Sequence, residues 1–233
     1  MDVHYFLSQR LKFIEQFYEG ASARFRDTIR KIEEELPPFD DPPYSEDPEP
    51  AFLEEWIEAN TSLMVVGQNC ISMLSESLKL YFKTWEGEIG AKWVKQEEKD
   101  AAFAKGFIGG YKAYFAAVLE TSWEACPANF GILEQVTLAR NRAEHPDHIT
   151  TILNRHSEND RARYPNLFFV SETERKAYSD VDMASSSWIT PTLEVSADSL
   201  AIAIREVEKL AAWLEPKIFE CLYPRQKKAG SEE

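Results

Sequence analysis

Arg140-Asn141-Arg142-Ala143-Glu144-His145 places two fixed cations, an amide and an imidazole within six residues. A guanidinium offers planar, paired donors that match phosphate oxygens. An imidazole titrates near neutral pH and can take or give a proton. The surroundings extend the pattern. From 140 to 163 the chain carries Arg140, Arg142, Arg155, Arg161 and Arg163 against Glu144, Asp147, Glu158 and Asp160, a net of +1 in a protein whose formal charge is −14. His145, His148 and His156 lie in the same window. A local anion site on an acidic body is the chemistry these types suggest.

Simpler roles exist for the same residues. Arg140 and Glu144 are four apart, the spacing of a surface ion pair on one helix face. A histidine just before Pro146 is commonly a helix-end residue near the last carbonyls. On a helix, Phe130, Leu133, Val136 and Thr137 form an inward stripe that continues into Arg140 and Glu144. Asn141 and His145 share the adjacent face. Arg140 and His145 stand roughly 140° apart, so they converge only if the arginine sweeps across or the helix ends at His145. Pro146 predicts that end. A polar cluster that terminates an apolar stripe needs a partner from another element, a ligand or a second subunit.

Other constellations are weaker. His145, Asp147, His148 and His156 match no familiar zinc spacing, and no metal is expected. Cys70, Cys126 and Cys221 are scattered and odd in number, as expected of incidental thiols in a reducing compartment. Cys126 beside Pro127 has no base placed near it. Ser185, Ser186 and Ser187 read as loop. The six tryptophans read as core, with a base-stacking platform the less probable use.

The elements that must position the motif are helical. In 233 residues with 44% hydrophobic content and 9 glycines, apolar positions recur mostly at helical steps. The first helix spans 3–36, with Phe6, Phe13, Ile14, Phe17, Phe25, Ile29, Ile32 and Leu36 as its apolar set and a bend near Gly20. Residues 37–50 form an acidic, proline-rich loop. A second helix covers 51–86 and is apolar on several faces at 62–74, so it is central. Residues 87–99 read as a polar connector or a short helix, and a third helix follows over 100–120. Its Gly106, Gly109 and Gly110 predict close packing on another helix, not a phosphate-cradling loop, which would need a preceding strand. The fourth helix, 128–145, holds the motif. Residues 146–195 are a loop and insertion in which 166–170 and 188–195 are expected to pair as a β-hairpin. Ser196 is the expected N-cap of a last helix over 197–222, and 225–233 a disordered tail. The fold class is thus mainly all-α: an elongated bundle of about five helices in one domain, with a small hairpin before the last.

Composition also excludes functions. At net charge −14 the chain is not expected to coat duplex DNA, whose affinity comes from neutralised phosphates. No run of about 18 apolar residues occurs, and the N-terminus opens an amphipathic helix in place of a signal peptide. A soluble, cytoplasmic protein without membrane contact is expected.

An Arg-Asn pair followed after three residues by His, in the penultimate helix of an α bundle, resembles the signature of the HEPN superfamily. The architectural likeness covers about residues 50–222, while the specific signal is the six residues 140–145. The resemblance implies a metal-independent endoribonuclease that needs no cofactor. His145 would be the acid or base around the 2′-hydroxyl and the leaving 5′-oxygen. Arg140 would hold the phosphate, and Asn141 would orient the imidazole. Arg142, His148, Arg155, Arg161 and Arg163 would contact RNA phosphates. Two motifs would face each other across a homodimer, which would bring arginine and histidine together. Members of the family act as toxins or in antiviral defence, which implies an antitoxin or regulatory partner. The alternative is a non-catalytic module of the same fold that holds a nucleotide or a partner protein.

Overall fold

The structure is a computed structural model that describes residues 2–44, 46, 48–93, 95–145, 148, 153–180 and 190–224. The bundle is built on two long helices, α1 (Val3–Glu33) and α2 (Leu53–Ile89). At about 1.5 Å per residue they run roughly 46 and 55 Å. Trp56 near the start of α2 donates its indole N–H to Glu33 at the end of α1 (3.0 Å), so the pair returns antiparallel. Short helices follow: α3 (Gln96–Phe103), α4 (Phe107–Val118), α5 (Phe130–Glu144), α6 (Glu158–Arg163) and α7 (Glu172–Asp180), and then the long closing helix α8 (Ala197–Leu222).

The centre of the bundle is α2, as its many-sided apolar stretch predicts. Cys70, Ile71, Leu74 and Leu78 are fully buried, and the helix packs on α1, α5 and α8. Burial holds the Cys70 thiol up at about 11, and no cysteine is paired. On α8, Leu200, Ile204, Val207, Leu210, Ala211, Leu214 and Ile218 all face inward. Ser196 caps it through reciprocal bonds with Ser199.

Three expectations are corrected. First, α1 buries Val3, Leu7, Leu11, Ile14, Tyr18 and Ser22, and leaves Phe6, Phe13 and Phe17 exposed. The helix carries two apolar stripes about one residue out of phase, and the one richer in aromatics faces water. Second, the expected third helix is two. Gly106 sits between α3 and α4 at φ +101°, a backbone region that side chains other than glycine rarely adopt. The close packing expected of this glycine group is present at Gly110, which lies flat against the Phe103 ring of α3. Third, no hairpin forms among the described residues. The stretches 166–170 and 190–195 share one backbone bond, Glu194 N–H to the Phe169 carbonyl (3.1 Å). The sole strand-like pairing described is an isolated bridge between Arg155 and Thr192. Residues 188 and 189 of the expected second strand, the serines 185–187 and the tail 225–233 lie outside the described residues.

Side chains take the place of the ladder. Gln68 of α2 donates to the Leu193 carbonyl (3.3 Å) and accepts from Asn154 (2.7 Å). Gln135 of α5 accepts from the Phe168 N–H (2.8 Å). His156 donates Nε2–H to the Phe169 carbonyl (2.8 Å), while its backbone N–H bonds Pro191 (3.0 Å). All four side chains are buried, and together they form a polar seam under the strap 190–195. The strap lies so close to α2 that a Cβ on Gly67 would meet the Val195 carbonyl oxygen at 2.4 Å.

Candidate functional site

Asn129 starts α5 by accepting from the Ile132 N–H (3.3 Å). Leu133, Val136 and Ala139 are its core face, with Gln135 turned to the seam. Phe130 and Thr137, expected to be inward, are only half-buried. The helix ends where Pro146 predicts. Glu144 is its last residue, and His145 caps it with its N–H on the Asn141 carbonyl (3.1 Å).

The motif side chains therefore sit at the solvent end of α5. Asn141 and His145 are exposed, and Arg140 is half-buried. Arg140 does not reach toward His145. It pairs with Glu144 one turn on and donates to Asn141 Oδ1 (3.2 Å). The plain ion pair that the four-residue spacing allows is formed.

Arg140 and Asn141 open onto a cleft of about 210 Å³. Its walls come from α2 (Ser75, Glu76, Lys79), the turn into α4 (Lys105, Gly106, Phe107, Ile108), α5 (Glu134, Thr137, Leu138) and Arg163. Four cations, Lys79, Lys105, Arg140 and Arg163, face two carboxylates, Glu76 and Glu134. Lys79 pairs with Glu76 at 3.2 Å, and Arg163 with Glu134 at 2.9 Å. Arg163 also donates to the Lys105 carbonyl (3.4 Å). The Tyr164 hydroxyl donates to the same Glu134 carboxylate. Burial, and then the carboxylate it touches, push its pKa well above that of an ordinary tyrosine.

The other residues singled out in the sequence are dispersed. Arg142 bonds Asp160 through Nε (3.2 Å) and ties α5 to α6. Burial of Asp160 raises its pKa, but the Ser157 hydrogen bonds and the Arg142 charge outweigh that and hold it below the usual carboxylate value. Arg155 is exposed on the bridge with Thr192. Arg161 lies beside Glu158 at 4.0 Å, away from the cleft lining. His148 is exposed, and Pro146 and Asp147 lie outside the described residues. His156 belongs to the seam, its ring nitrogen committed to a carbonyl, and burial lowers its pKa. Among the described residues, no three His, Cys, Asp or Glu side chains are grouped to share a metal ion.

Of the predicted phosphate contacts, then, only Arg163 joins Arg140 and Asn141. Ser75, Lys79 and Lys105 went unrecognised. Ser75 and Lys79 are one turn apart on α2, but Lys105 lies in a distant segment, and no spacing links either to the motif on α5. Comparison with protein-family models, curated proteins and solved structures gives no match to this chain. No described helix is long and apolar enough to cross a membrane.

Proposed function

We propose that the chain is a metal-independent endoribonuclease of the HEPN type that works as a homodimer. The observation that carries the reading is the placement of the motif. Arg140, Asn141 and His145 all lie outside the core at the free end of α5, and two of them border a cationic cleft. A residue set that served only packing would be covered. In the proposed reaction His145 takes the 2′-hydroxyl proton or protonates the leaving 5′-oxygen. Arg140 balances the charge that develops on phosphorus, and Asn141 orients the imidazole or holds the phosphate. Within one chain Arg140 and His145 diverge, so a second subunit has to supply the opposing pair. Toxin or antiviral roles, and an antitoxin or regulatory partner, belong to this same proposal.

The test is purified protein on single-stranded RNA with EDTA present. Cleavage that survives the chelator and leaves 2′,3′-cyclic phosphate ends supports the reading. Cleavage abolished by EDTA, or none on varied RNAs, ends it. A second reading, a non-catalytic module that binds a nucleotide or a partner protein, is favoured by one contact: the Arg140–Glu144 pair already neutralises the cation that catalysis needs.

A further inference from the structure

Beside its buried face, α1 carries a second apolar stripe that no described residue covers. Phe6, Phe13 and Phe17 are 57, 55 and 40% exposed, and the Phe13 and Phe17 rings stack with centroids 6.1 Å apart. Each ring leaves roughly 100 Å² of apolar surface in water, which is unfavourable unless something covers it. The stripe is periodic. Phe6, Arg10, Phe13, Phe17, Gly20 and Arg24 follow one another at steps of four, three, four, three and four residues. Alternating steps of three and four define the seam along which two helices coil together. All six positions are exposed, and neither Arg10 nor Arg24 makes an ion pair among the described residues. A Cβ at Gly20 would meet nothing within 4 Å, so the backbone there is open to close approach.

We propose that this stripe pairs with itself: two copies of the chain join through an antiparallel contact of their α1 helices over residues 6–24. The spacing reads the same from either end, which is what a two-fold contact requires, because residue i of one copy meets residue j of the other and the reverse. With the axis at the level of Glu15, Phe13 of each copy meets Phe17 of the other. Phe6 meets Arg24, and Arg10 meets Gly20. Four rings form the centre, Arg24 covers the Phe6 ring as a cation–π contact, and Gly20 leaves room for the Arg10 stem. Charge selects the antiparallel order. A parallel pair would set Arg10 against Arg10 and Arg24 against Arg24, and like charges face to face are repelled. The rings of the two copies supply roughly 600 Å² of the about 1,000 Å² that a stable interface buries, and the rest of the stretch from 6 to 24 supplies the remainder. The inner face of α1 packs on α2 and α8, and α1 contributes no residue to the cleft beside α5. The contact is therefore separate from the pairing of α5 ends proposed above and does not rest on it.

Analytical ultracentrifugation of the full chain at micromolar concentrations tests it. Phe13→Asp, at an exposed position, should keep its melting temperature and halve the mass of the wild-type particle. Its association should weaken about a hundredfold or more, since the substitution falls on both sides of the contact. Arg24→Glu should weaken association about tenfold by removing the cation from Phe6, whereas it would tighten a parallel pair. Cysteine cross-linking checks the register. A mixture of Arg10→Cys and Gly20→Cys chains should give a disulfide-linked dimer on oxidation, with wild type as the blank. Either variant alone should not, because the two equivalent residues stand about 15 Å apart along the axis, beyond the roughly 7 Å that a disulfide spans. A wild type that runs as a single chain, Phe13→Asp with the wild-type mass, or a single cysteine variant that cross-links as readily as the mixture would each overturn the proposal. If Phe13→Asp keeps the wild-type mass and weakens binding of single-stranded RNA, the rings stack on bases and the proposal is likewise overturned.

Discussion

The seam under the strap 190–195 and the cleft at the start of α4 are both polar recesses against α2, and they are satisfied to different degrees. In the seam, Gln68, Asn154, Gln135 and His156 are buried, and each is bonded to the chain. In the cleft, three of the four cations keep neighbouring carboxylates, and Lys105 has none among the described residues. A saturated polar group can only lose by being disturbed, so the seam is structural. A recess with unspent donors is where a ligand gains. The two histidines make the same contrast: His156 is committed to a carbonyl, and His145 is exposed at a helix end.

Substitutions should separate the two regions by what they change. The largest loss of stability is expected from Gly67→Ala, because the new Cβ would collide with backbone, which cannot rotate away. About 3 kcal/mol, the upper range for overpacking, should disappear in urea unfolding. Asn154→Ala strands the Gln68 amide in the seam, and about 1–3 kcal/mol should be lost in the same assay.

Next is a pH effect. Burial depresses the His156 pKa, opposed by the Phe169 carbonyl and the charges of Asp160 and Glu174. The unfolded chain therefore takes up a proton that the folded chain resists. This contribution to stability is fully present above the unfolded value of about 6.5 and is lost as pH falls below it, levelling off once the folded histidine also protonates. Replacing His156 with Asn should flatten that part of the pH–stability curve. Lys105→Glu, in the cleft, should shift stability by no more than about 0.5 kcal/mol. A loss there as large as that for Asn154→Ala would erase the distinction between the regions.

Much of this was legible in sequence, and the reasons for the rest are specific. Periodicity found α8 residue by residue, and Ser196 and Pro146 marked element ends, because those signals act over a few neighbours. The same signal misled on α1, where Phe13 and Ile14 are adjacent and both apolar. Only the partner helix decides that Ile14 goes inside. In place of the hairpin, the backbone of 191–193 pairs with that of Asn154 and His156, and Gln68 and Gln135, far away in sequence, take the Leu193 carbonyl and the Phe168 N–H. At the site, Arg140, Asn141 and His145 were visible as one run. Ser75, Lys79 and Lys105 were invisible because their proximity is made by packing α2 and α4 on α5.

The central claim is that the solvent end of α5 performs acid–base chemistry on RNA. The direct measurement is the single-turnover rate of RNA cleavage, with chelator present, for wild type and for His145→Ala at equal folded concentration. The account predicts a fall of about 10²–10⁴-fold, the usual worth of a general acid or base, with an unchanged melting temperature. Cleavage by His145→Ala at the wild-type rate would contradict it.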